Sequence, residues 1–167
     1  MGDTKDLTNE AAIEKIRELA NRKICLFCTY SNNEIVSRPM DTQDVDENGV
    51  LWFMSRKDSV KNMQIDQNSK VYLMYLDDSK HHYLSLSGTA RVEAYDRERI
   101  EELWTPMTKA WFTEGKDDPD ISLITVTPDN GHYWDTKNGK LVSLIKITAA
   151  LITGKEMDGG IEGDINL

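Results

Sequence analysis

The stretch LWFMSRKDSVKNMQ, residues 51–64, changes character at its midpoint. Leu51 to Met54 is continuous, apolar and aromatic, the composition of a buried β-strand. From Ser59 the residues turn polar, with Val60, Met63 and Ile65 spaced for a short helix that Asp58 or Ser59 can cap. Between them lie three cations, Arg56, Lys57 and Lys61, against one acid, Asp58, with the hydroxyls of Ser55 and Ser59 alongside. A strand that runs through a cationic turn into a helix start presents unpaired N–H groups and the positive end of the helix dipole. That combination suits a phosphate dianion, which lysine meets as a point charge and arginine as a fork. It also describes a solvated basic turn, and spacing alone does not separate the two.

The surrounding chain is acidic. Its 167 residues carry 20 Lys and Arg against 29 Asp and Glu, a net charge of −9, which argues against non-specific nucleic-acid binding. With 39% hydrophobic and 29% charged residues the composition is that of a folded chain. The expectation is one domain over 1–167, its core spanning about residues 10–154, with a short acidic tail. No apolar run approaches the roughly 20 residues of a membrane span. The start, MGDTKDLTNE, lacks the basic-then-apolar pattern of a signal peptide, so a cytoplasmic location is expected.

Residues 8–22 read as an amphipathic helix, with Ala12, Ile13, Ile16, Leu19 and Ala20 on one face. Strand-like runs follow: ICLFCTY (24–30), EIVSRPM (34–40) and VLWFMS (50–55), with a hairpin at 31–33 and a tight turn at 46–49. KVYLMYLD (70–77) and HYLSLSGTARVEAY (82–95) return to strand, and Gly88 marks a bulge or bend. DRERIEELWTPMTKAWF (96–112) reads as a helix that Pro106 breaks or kinks. ISLITVTP (121–128) and GHYWDT (131–136) read as two strands about a turn at 129–131, and residues 141–153 as a helix ending at Gly154. Many short strands with few helices between them indicate a small antiparallel barrel with helices packed outside, a mainly β, α+β fold.

Cys25 and Cys28 sit in one apolar strand, where positions three apart face opposite sides, so both are expected to pack rather than pair. His81, His82 and His132 lack neighbours at metal-ligand spacing, and no metal site is expected. Nucleophile-elbow, P-loop and Gly-x-Gly-x-x-Gly patterns are missing from the sequence. Trp104 lies on an apolar helix face and reads as core, whereas Trp111 and Phe112 fall where a helix meets a polar loop and can line a planar ligand.

Several segments in order resemble a known family: SRPM (37–40), LWFMSRKDSVKNMQ (51–64), VYLMYLD (71–77), YLSLSGTARV (83–92), WTPMTKAWFTEGKDDPD (104–120), LITVTPDNGHYWD (123–135) and AALITGK (149–155). They resemble the pyridoxamine 5'-phosphate oxidase-like FMN-binding split barrels, and within them the bacterial general stress protein branch. The resemblance implies a six-stranded antiparallel split β-barrel with flanking helices. It further implies a homodimer with FMN, or alternatively FAD, in clefts at the subunit interface.

By the same resemblance Ser55, Ser59 and Lys61, with Lys57, hold the flavin phosphate. Arg38, Pro39 and Met40 approach the ring and ribityl chain, and Phe53 and Met54 pass beneath the ring through their backbone. Tyr83 contacts the flavin, and Trp111 and Phe112 complete the pocket from the partner subunit; Trp134 is a further candidate contact. The implied activity is an FMN-dependent oxidoreductase of a small substrate, reduced by NAD(P)H, with a non-catalytic flavin-binding stress protein as the alternative. Pyridoxamine 5'-phosphate oxidation proper is disfavoured, because the terminal GGIEGDINL lacks the basic residues that would grip a substrate phosphate. A cofactor of this kind carries the redox chemistry itself, so no general acid or base is required of the chain.

Overall fold

The computed structural model describes residues 3–136 and 160–167. In chain order its first elements are β1 (Asp3–Thr4), β2 (Leu7–Thr8), α1 (Asn9–Ala20), β3 (Ile24–Ser31), β4 (Glu34–Asp41), β5 (Asp44–Val45) and β6 (Leu51–Arg56). They are followed by α2 (Val60–Gln67), β7 (Lys70–Asp77), β8 (His82–Glu93), α3 (Arg97–Leu103), α4 (Pro106–Trp111), β9 (Ile121–Thr136) and β10 (Gly160–Asn166). The helix expected at 141–153 lies outside the described residues.

All ten strands join one sheet, ordered β1-β10-β9-β8-β7-β3-β4, with β6 also on β9, β5 on β6 and β2 on β10. The frame is the expected split barrel, carried by β3, β4, β6, β7, β8 and β9, and its ladder is open. Those six strands are the expected barrel, and among the described residues the sheet has four more. The extra strands are the pair β5, a two-residue partner of β6, and the terminal set β1, β2 and β10. β1 and β2 run parallel to β10, so the sheet is not purely antiparallel.

The two strands expected at 121–128 and 131–136 are one. β9 pairs with β8 along one edge, while its other edge serves β6 at Ile121–Val126 and β10 at Asn130–Thr136. What looked like a turn at Asp129–Gly131 is an irregularity in this strand: Ser87 faces Asn130 and Gly88 faces Pro128, leaving Asp129 as the extra residue. Gly131 is required by contact rather than by a turn, since a Cβ there would stand 2.5 Å from the Ser85 carbonyl oxygen. The acidic tail, which shows no period, is β10. Its Gly163 admits the Lys5 backbone where a Cβ would collide with it.

Other readings hold with local differences. Asn32 and Asn33 both take left-handed backbone, the requirement of a two-residue hairpin between Ser31 and Glu34. Gly49 at φ +80° closes the turn into β6. The 96–112 helix is two helices, because Thr105 starts a new one with a reciprocal cap to Thr108 and Pro106 occupies its first turn.

Alternate residues of the strands fill the barrel. Phe27 and Phe53 meet edge to face at 5.1 Å between ring centres, surrounded by Leu51, Leu73, Leu84, Leu86 and the Ile16 face of α1. On the opposite side of β6 and β9, α3 and α4 close a second core of Ile100, Leu103, Phe112, Ile121 and Leu123, against which Trp104 packs as expected. Cys25 and Cys28 are both buried and free. Burial pushes the Cys25 thiol up to about 12, so it remains protonated.

Candidate functional site

The site lies where β6 turns into α2. Its floor is a buried polar network with no apolar counterpart in the sequence pattern. The Ser55 hydroxyl donates to Asn62 Oδ1 at 2.9 Å and lies 3.0 Å from the Ser59 hydroxyl, while Asn62 Nδ2 donates to Ser122 Oγ at 2.9 Å. The short helix expected from Ser59 is present as α2, and of its three apolar residues Ile65 is buried while Val60 and Met63 are not. Val60 and Met63 are exposed at 61% and 54%, and the buried face is Asn62, Gln64 and Ile65. The helix sits at the end of the barrel with one residue, Ile65, in the oily core and the amides Asn62 and Gln64 beside it on the buried face.

The four cations of the region have different fates. Arg56 is spent within the chain: it pairs with Asp120 at 2.9 Å and lies within 4.0 Å of Asp58 and Asp118. Lys57 is exposed, its ammonium 5.8 Å from the Tyr95 ring centre and its backbone N–H donating to Asp120. Arg38, from β4, donates to Thr29 Oγ1 at 2.6 Å and to Gln64 Oε1 at 2.8 Å, and Thr29 Oγ1 in turn donates to that same Gln64 oxygen at 2.6 Å.

Lys61 is the exception. It is half-buried beside Arg38, and among the described residues no carboxylate lies within ion-pairing distance of it. Burial first, then the Arg38 charge, lower its pKa below the lysine value, against a smaller opposing pull from Asp58. Arg38, held by the neutral Thr29 and Gln64, and Lys61 beside it form a focus of positive charge with no ion pair among the described residues and only a partial offset from Asp58. An anion is what such a focus binds.

The residues named from sequence therefore divide. Ser55 and Ser59 meet at the start of α2, Lys61 in its first turn lies beside Arg38, which reaches Gln64 in the second, and Lys57 stands in the preceding turn against Tyr95. Pro39 lies opposite Leu26, and Met40 is buried opposite Cys25. Phe53 fills the barrel core and Met54 packs on the second core. Tyr83 is elsewhere: it lines a cavity of about 420 Å³ with Arg22, Lys23 and His82, and its hydroxyl donates to Asp78. Trp111 is 77% exposed at the end of α4, whereas Phe112 is buried within its own chain. Trp134 is partly exposed and packs on His132, 4.5 Å between ring centres.

His82 and His132 meet carboxylates, Asp135 at 2.9 Å and Asp164 at 2.8 Å. Sequence reading missed Thr29, Gln64, Asn62 and Ser122. The first two were within reach: counting outward from the 31–34 hairpin puts residues 29 and 38 on one face, and Gln64 is three residues on from Lys61 on α2.

Residues 11–158 match the sequence profile of the family described as pyridoxamine 5'-phosphate oxidase like. The fold is shared with a protein from Jannaschia sp. CCS1 assigned as general stress protein 26, at TM-score 0.72 and 23% identity over 93% of this chain and 95% of that one. It is shared with the general stress protein 26 of Bacillus anthracis str. Sterne, at TM-score 0.64 and 24% identity over 72% and 92%. The general stress FMN/FAD binding protein of Xanthomonas citri superimposes at TM-score 0.63 with 22% identity over 74% and 87%. No curated protein sequence matches the chain. With the split-barrel topology in place and nearly the whole chain matched, this protein belongs to the pyridoxamine 5'-phosphate oxidase-like family.

Proposed function

We propose that the chain binds a flavin mononucleotide unit through its phosphate at the Arg38–Lys61 focus, and serves as an FMN-dependent oxidoreductase. The observation that carries this is a neighbouring pair of cations, Arg38 and Lys61, that form no ion pair among the described residues of an otherwise acidic chain. The donor set fits a phosphate: Arg38 offers a fork and Lys61 a point charge. The start of α2 adds backbone N–H groups, and Ser59 and Lys57 stand at the rim. Ser55 acts one layer below, orienting Ser59 and Asn62. The FMN/FAD binding protein of Xanthomonas citri supports the same ligand class.

When bound, the flavin supplies two-electron redox chemistry. The chain's own part is to fix the phosphate and to cover the ring. The cover is proposed to come from a second copy. Leu26, Met74 and Leu76 point away from the barrel at 41%, 41% and 62% exposure, and Trp134 continues the row through Tyr83. Such a contiguous apolar face is expected to be buried by a partner, giving a homodimer whose clefts recruit Tyr83, Trp111 and Trp134 to the flavin. A nicotinamide donor, NADH or NADPH, would reduce it in a cytoplasmic setting.

The test is the absorbance of the purified protein, identification of any released flavin, and anaerobic mixing with NADH or NADPH. Bound FMN that bleaches on mixing supports the oxidoreductase. Bound FMN that stays oxidised with both donors excludes a nicotinamide-linked reductase, and a preparation that neither carries nor takes up flavin overturns the whole reading.

A further inference from the structure

β3 and β7 pair only where Leu26–Cys28 faces Tyr72–Met74, although both strands run on. Ile24 and Cys25 stay on β4, while Tyr75 to Asp77 stay on β8. The two strands part there, and the cavity of about 420 Å³ beside Tyr83 lies in the gap. Its size falls within the roughly 300–1,000 Å³ of small-molecule sites. Ile24 is five residues from Thr29 along β3, about 17 Å, so the gap is well away from the Arg38–Lys61 focus.

The gap leads inward. Strand alternation puts Tyr75, Asp77, His82 and Leu84 on the barrel side of the sheet, and only Ile24, Leu76 and Tyr83 on the outer face proposed above for a second copy. The inner end is apolar: Leu19 and Leu84 are buried, and the Tyr75 hydroxyl is taken up by Thr42 at 2.7 Å, leaving its ring for the cavity. The rim at the barrel end is cationic. Arg22 and Lys23 pair with no carboxylate among the described residues, and Arg22 reaches only the Leu103 carbonyl, at 3.5 Å. The nearby acids are both engaged. Asp77 accepts from the Ser79 hydroxyl at 2.6 Å. Asp135 accepts the Nε2–H of His82 at 2.9 Å and pairs with the Lys15 ammonium at 2.8 Å.

An apolar recess with two unpaired cations at its mouth selects a molecule with an apolar body and a negative charge at one end. We propose that this cavity binds a small organic carboxylate, its body against Leu19, Tyr75 and Leu84 and its acid group at Arg22 and Lys23. A neutral apolar molecule would fill the recess and gain nothing at the rim. An inorganic anion would meet the cations and leave the recess unfilled. The site needs neither the flavin nor the phosphate anchor, and so stands independently of the flavin reading.

The experiment is a calorimetric titration of the full-length protein with benzoate, and with benzyl alcohol as its uncharged counterpart. Benzoate is expected to bind about tenfold more tightly. Arg22→Gln combined with Lys23→Gln is expected to bring benzoate down to the affinity of benzyl alcohol. Lys109→Gln, which removes a cation of α4 outside the cavity, is expected to change nothing. Lys61→Ala, which breaks the phosphate anchor, is expected to leave benzoate unchanged as well. Equal affinities for the two probes, no binding of benzoate, or an equal loss in Lys109→Gln would overturn the site. A loss in Lys61→Ala would also overturn it, by placing the carboxylate at the phosphate focus.

Discussion

Lys61 on α2 is kept below the ordinary lysine pKa by its burial and by the like charge of Arg38 on β4, and Asp58 only partly offsets this. A protein without an anion at this place therefore carries a standing electrostatic cost. In the window between the folded-state pKa and the ordinary value of 10.5, the unfolded chain binds more protons than the folded one. Stability from this group thus rises with pH through that window, and the cost is fully present at pH 7.

Replacing Lys61 with methionine should accordingly stabilise the flavin-free protein at pH 7, by about 0.5–1 kcal/mol. Thermal melts read this directly. The difference from wild type should shrink as pH approaches 10.5. A lower melting temperature for Lys61→Met at pH 7 would show that the lysine is compensated after all.

The two serines of the turn should separate cleanly. Ser55 is 2% exposed and sits at the centre of the Asn62–Ser122 network, so Ser55→Ala should cost about 1–3 kcal/mol in urea unfolding by stranding buried polar atoms. Ser59 is half-buried and makes no side-chain cap to its helix, so Ser59→Ala should leave stability within about 0.5 kcal/mol and act on phosphate affinity instead. Equal unfolding free energies for the two variants would refute this division.

Much of this was legible in the sequence. The strand-like runs at 24–30, 34–40, 50–55, 70–77 and 82–95, many and short with few helices between them, pointed to the barrel. The charge island led to Lys57, Ser59 and Lys61. Three things were not legible. β9 reads as two strands because an asparagine-glycine pair is an ordinary turn signal, and only its pairing with β8 and β10 keeps the chain extended. β10 carries no period because its glycine serves a backbone contact with Lys5 rather than its own propensity. α2 shows Val60 and Met63 outward and buries Asn62 and Gln64 beside Ile65, and a pattern of hydrophobicity cannot say which amides a polar network will draw inward.

Gln64 is buried and takes hydrogen bonds from both Thr29 and Arg38, so it fixes the guanidinium without needing to touch a ligand. Gln64→Ala should weaken FMN about fivefold, the equivalent of about 1 kcal/mol. Riboflavin, which has no phosphate, should bind the variant as it binds the wild type. A loss shared by both ligands would place Gln64 in the fold alone.

The outer face of the sheet supplies a fourth test. Leu26 and Met74 are direct cross-strand partners, and Leu76 lies two residues beyond Met74 on the same face. Met74→Glu with Leu76→Glu should convert a dimer to monomer by light scattering at micromolar concentration, because two charges would be buried without partners. FMN affinity should fall with it. A wild type that is already monomeric would remove the shared cleft.

The most direct measurement is the affinity of FMN set against that of riboflavin, in wild type and in Lys61→Ala. A phosphate held by two cations should make FMN about 100-fold the tighter ligand, and loss of Lys61 should remove about tenfold of that gap with riboflavin unchanged. Equal affinities of the wild type for FMN and riboflavin would mean that no phosphate sits between Arg38 and Lys61.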